Sequence, residues 1–100
     1  MTSSSTSSQH TTHAAVPTTN ASRYLQQLCK HWAHKFETEF DPTQARISLP
    51  LGEARLTATP DTLLIDLTAI DAATMTTFQE VVMSHIERFA FREDLCFVWE

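Results

Sequence analysis

Residues 46–68 read RISLPLGEARLTATPDTLLIDLT, and this stretch decides the fold. Ile47 and Leu49 alternate with Arg46 and Ser48. Ala54, Leu56 and Ala58 alternate with Arg55, Thr57 and Thr59. Leu63, Ile65 and Leu67 alternate with Leu64, Asp66 and Thr68. A period of two is that of a strand with one buried face. Pro50-Leu51-Gly52 separates the first run from the second, with proline setting the corner and the chain's single glycine just after it. Pro60-Asp61-Thr62 separates the second from the third. Connections this short join antiparallel neighbours, so the stretch predicts a three-stranded meander.

Helices are expected on both sides of it. Ser22 to Thr38 carries Leu25, Leu28, Cys29, Trp32 and Phe36 on one helical stripe. Ser22 suits an N-cap, and Asp41-Pro42 ends the segment because the residue before proline avoids the helical region. Asp71 caps a second helix over Ala72 to Phe91, with Met75, Phe78, Val82, Ile86 and Phe89 facing inward. Leu95 to Trp99 is apolar enough for a last strand. The expected order is α-β-β-β-α-β. It predicts an α+β domain with two helices on one face of an antiparallel four-stranded sheet. The other face would show Arg55, Thr57, Thr59 and Leu64, a half-apolar surface suited to a homodimer.

Before Ser22 the composition changes. Eleven of the first 20 residues are Ser or Thr, and all 19 charged residues lie in 23–100. Residues 1–21 are therefore expected to be a disordered polar tail, with His10 and His13 inside it, ahead of one domain over 22–100. The tail holds neither the apolar core and basic start of a signal peptide nor the arginines of a mitochondrial presequence. No apolar stretch approaches the ~18 residues of a transmembrane helix. Cys29 and Cys96 stand in apolar surroundings and read as small buried hydrophobes of a reducing cytoplasm. The net charge of −5 argues against nucleic acid as a partner, since neutralising phosphates takes a basic face.

The polar residues that ask for a reason are basic. Helical geometry sets His31 and Lys35 along one edge of the first helix, and His85, Arg88 and Arg92 along one edge of the second. Facing each other, these edges would form a groove for an anion, because guanidinium forks suit carboxylate or phosphate. In the plainer reading His85 is a core histidine, His31 and His34 lie on the surface, and Arg88 and Arg92 pair with Glu87, Glu93 or Asp94. A third reading is metal. His31 and His34 are three apart on one helix and His85 could supply a third imidazole, a donor set that suits zinc or iron. Catalysis finds little support, and no catalytic residue is assigned. The chain has no G-x-S-x-G and no H-E-x-x-H, Cys29 and His31 diverge on their helix, and Asp66 has no partner carboxylate.

Three blocks carry a resemblance. They are Arg23-Tyr24-Leu25-Gln26-Gln27-Leu28-Cys29-Lys30-His31-Trp32-Ala33-His34-Lys35, then Asp71-Ala72-Ala73, then His85-Ile86-Glu87-Arg88-Phe89-Ala90-Phe91-Arg92-Glu93. Together they resemble the bacterial family called domain of unknown function 2218, over residues 22–99. The resemblance implies a small cytoplasmic domain with a helix-on-sheet arrangement similar to that of the TATA-binding protein. It implies no established activity or cofactor, and a loose association with siderophore-interacting reductases, hence with iron. The family's polar positions fall on His31, His34, Lys35, His85, Arg88 and Arg92. The combined expectation is a non-enzymatic binding or accessory module for a small anion, an iron chelate included. A histidine metal protein and a homodimeric interaction module are the alternatives.

Overall fold

A computed structural model describes residues 10–100. Its elements run β1 (His10–Pro17), α1 (Ala21–Trp32), β2 (Glu37–Phe40), β3 (Gln44–Leu49), β4 (Gly52–Ala58), β5 (Thr62–Ala69) and α2 (Ala72–Phe89). The meander forms as expected from β3 to β5, with Ala45, Ile47, Ala54, Leu56, Leu63, Ile65 and Leu67 buried on one side. Both helices lie on that side. Alpha1 packs across β2 to β5, and α2 packs on β5 and β1 and touches α1. Leu25, Leu28, Cys29, Phe78, Val82 and Ile86 are sealed between the layers, each large side chain contributing about 1.5–3 kcal/mol by leaving water.

The sheet has five strands in the order β1-β5-β4-β3-β2, all antiparallel neighbours, where four were expected. The chain order is β-α-β-β-β-β-α. The fifth strand comes from the stretch read as tail. His10–Pro17 pairs with β5 along its whole length, from His10 opposite Ala69 to Pro17 opposite Thr62. Thr12, Ala14 and Val16 alternate into the core. Small and β-branched residues suit a strand over a tightly covered face, and their lack of charge is what hid it. Of the expected tail, residues 1–9 lie outside the described residues.

The first helix stops at Trp32, not Thr38. The amides of Lys35 and Phe36 both close on the Trp32 carbonyl and turn the chain. Glu37–Phe40 then pairs with β3 as an edge strand. Phe36 keeps helical spacing from Trp32 and still packs on the core, so the period misled past the true end. Asp71 caps α2 as expected, its carboxylate accepting from the Thr74 amide at 2.7 Å. The expected last strand is only a contact. Trp99 bridges Ala14, and His13 and Glu100 exchange backbone hydrogen bonds at 3.2 and 2.8 Å. Cys29 is buried, whereas Cys96 is exposed on this segment, which corrects the reading of both as core.

Candidate functional site

The last turn of α1, the turn that follows it, the β3–β4 hairpin tip and the middle of α2 enclose a cleft of about 530 Å³. Trp32, Phe36, Leu51 and Val81 give it apolar walls, and His31, His34, Lys35 and His85 supply its polar groups. No Asp or Glu lines it. Trp32 is held by the core, Leu51 is placed by the Pro50 corner, and His85 stands one turn beyond Val81 on α2.

His85 is half-buried between two rings. Its centroid lies 5.1 Å from that of His31 and 5.0 Å from that of Trp32, both tilted. Its Nδ1 lies 2.7 Å from the Val81 carbonyl. A carbonyl only accepts, so Nδ1 donates to it, and Nε2 can donate to an anion only when the ring takes a second proton. The His31 ring also meets the edge of Phe89, at 6.3 Å between centroids. His31 titrates below its ordinary range, chiefly because it is partly desolvated, then because His85, Arg88, His34 and Lys35 crowd it with positive charge.

The expected groove therefore assembles in part. His31, Lys35 and His85 share the cleft, and Arg88 stands close enough to act on His31. Arg92 does not join them, because its guanidinium sits 5.3 Å over the exposed Phe91 ring, beyond the end of α2. Among the described residues, neither Arg88 nor Arg92 forms the expected surface ion pairs. His34, read as solvated, lies at the cleft rim. Among the described residues no three His, Cys, Asp or Glu side chains stand together as a metal site, so His31, His34 and His85 do not form the expected ligand set. Burial pushes the Cys29 thiol up to about 11, so it stays protonated at neutral pH and is a poor nucleophile.

Sequence reading missed the apolar half of this cleft. In the sequence Trp32 and Phe36 read as core residues, which they are, and Pro50-Leu51 as a turn, and none of these readings signals a cleft wall. The end of α1 at Trp32, and the turn closed by the Lys35 and Phe36 amides, brings them round the histidines.

The molecule so defined is a small α+β domain, a five-stranded antiparallel sheet carrying two helices and a carboxylate-free cleft between them. The chain belongs to the family described as an uncharacterized protein conserved in bacteria (DUF2218), which it matches over residues 13–100. Its fold is also that of the NMR structure of PA4090 from Pseudomonas aeruginosa. The two are 37% identical, with a TM-score of 0.76, over 90% of this chain and 94% of that one. No curated protein matches the chain.

Proposed function

We propose that the cleft binds a small organic anion without chemical change, making this protein a binding or accessory module. One observation carries the reading. In a protein of net charge −5, the cleft gathers His31, His34, Lys35 and His85 and no carboxylate. Its volume is in the range of small-molecule sites, and its walls are largely apolar and aromatic. Those features favour an amphipathic ligand, with a ring or short chain against Trp32 and Leu51 and a carboxylate or phosphate toward Lys35 and His85. An anionic iron chelate falls within that class. Cytoplasmic placement belongs to the same proposal. Among the described residues no helix is long and apolar enough to cross a membrane, and both cysteines are free thiols.

The test is a titration followed by amide and imidazole NMR. The probes are benzoate, salicylate, phenyl phosphate and a catecholate–iron(III) chelate, the paramagnetic last one read from line broadening. Saturable changes at His31, Lys35 and His85 are expected, and the Lys35→Gln/His85→Gln protein should lose them while keeping its dispersed spectrum. If none of the four perturbs these residues at millimolar concentration, the reading fails.

A further inference from the structure

The face of the sheet turned away from the helices carries an ordered row of charge. His13 of β1 stands opposite Asp66 of β5, Asp66 opposite Arg55 of β4, Arg55 opposite Arg46 of β3, and Arg46 opposite Glu39 of β2. All five side chains are exposed. Directly opposed residues share one side of a sheet, so the row crosses the molecule from edge to edge. It reads imidazole, carboxylate, guanidinium, guanidinium, carboxylate. Two shallow hollows of about 900 and 610 Å³ flank Arg55, which lines both.

This order is complementary to its own reverse. A two-fold axis running across the strands would set each strand on itself, placing Asp66 on Asp66 and Arg46 on Arg46. An axis running along β4 exchanges β5 with β3 and β1 with β2. It then sets Asp66 against Arg46 of the second copy and His13 against Glu39 of the second copy. Arg55 would meet its own equivalent, each guanidinium already held by Glu53 at 2.6 Å. Asp66 makes no ion pair within its own chain among the described residues, so its carboxylate is free for the partner. Leu64, 37% exposed beside the row, adds apolar surface.

We infer that this face docks a second copy of the chain, with the two-fold axis along β4. Closed two-fold dimers use one patch twice, which is what a self-complementary row provides. Strand spacing and length give the face roughly 500 Å² per copy, near the lower limit for a specific interface. The association is therefore weak and salt-sensitive, and it leaves the cleft on the opposite side open.

Sedimentation equilibrium of the full chain tests it. A monomer–dimer equilibrium in the micromolar range is expected at about 20 mM salt, shifting at least several-fold toward monomer at about 500 mM. Asp66→Lys and Arg46→Glu should each weaken the dimer about tenfold or more, and the doubly exchanged protein should recover most of that loss. Circular dichroism checks folding, and should one single variant misfold, the other probes the same contact from the opposite side. A chain that stays monomeric at low salt overturns the inference. So does a dimer indifferent to both single reversals, which would place the interface on another surface.

Discussion

Tyr24 of α1 donates its phenolic hydrogen to Glu93, in the segment that leaves α2. The same carboxylate accepts from Thr18 Oγ1 at 3.0 Å and Asn20 Nδ2 at 2.8 Å. One side chain thus gathers donors from the β1–α1 connection and from α1 itself. It fixes where the two helices sit relative to each other, and the cleft lies further along that seam. The surface role expected for Glu93, pairing with a nearby arginine, is replaced by this inward one.

Replacing Glu93 with alanine leaves the buried Tyr24 hydroxyl without its acceptor. A loss of about 1–3 kcal/mol is expected, since an orphaned buried donor costs more than the bond contributed. Glu93→Gln keeps an acceptor oxygen and should lose less. Thermal melting of the two variants at neutral pH checks the order, and equal melting temperatures for wild type and Glu93→Ala would refute it.

The same carboxylate sets an acid response. Hydrogen bonds from Tyr24, then Asn20, hold Glu93 below its ordinary value of 4.5, against an opposing contribution from burial. A depressed carboxyl stabilises the fold above its unfolded value, and that contribution is lost as pH falls through the folded value. The stability gap between wild type and Glu93→Gln should therefore be constant from neutrality to about pH 5 and close below it. Denaturant unfolding across that range is the measurement, and a gap that widens in acid would contradict the sign.

Gly52 opens β4 at φ 151°, and a Cβ there would lie 1.9 Å from the Thr68 carbonyl oxygen. Backbone on backbone cannot yield by a rotamer change. Gly52→Ala is expected to cost about 2 kcal/mol or more and to fray the Gly52–Ala69 end of the β4–β5 ladder. Faster amide exchange confined to that end would confirm the location, and unchanged exchange there would count against it.

The meander was legible because three runs of period two, around Ile47, Leu56 and Ile65, are separated by two proline turns, a signal that needs no tertiary context. The fifth strand was not. Thr12, Ala14 and Val16 alternate too, but in a run so rich in Ser and Thr that composition outweighed period, and their partner lies about fifty positions away. The basic half of the cleft was visible from helical geometry, since His31, Lys35 and His85 sit on edges that do meet. Arg92 was misplaced because the helix ends at Phe89, and past that point a helical wheel no longer predicts direction.

Deleting residues 1–17 removes β1 and with it the partner of every residue from Thr62 to Ala69. Leu63, Ile65 and Leu67 keep their cover by α2, but β5 becomes a bare edge and Val16 leaves the core. The truncated chain is expected to be unfolded or aggregated, shown by loss of dispersion in its amide spectrum. A folded truncation would mean that β1 is dispensable to the sheet.

Anion binding at the cleft should depend on pH through His31. Partial burial, His85, Arg88, His34 and Lys35 together hold its imidazole below the ordinary 6.5, so the empty protein favours the neutral ring. That preference stabilises the fold above 6.5 and is lost as pH falls through the folded value. A bound carboxylate or phosphate reverses the balance, because a negative charge beside the ring favours its protonated form. Affinity for benzoate, whose charge is constant over this range, is therefore expected to rise as pH drops, by up to about tenfold for each pKa unit by which the anion raises His31. Calorimetric titration at about pH 5.5 and about pH 7.5 measures the dependence. His31→Asn should bind the anion more weakly at the lower pH and lose most of the dependence. Equal affinities in the wild type at both pH values would show that neither His31 nor His85 meets the anion as a protonated ring, and would leave Lys35 as its cationic contact.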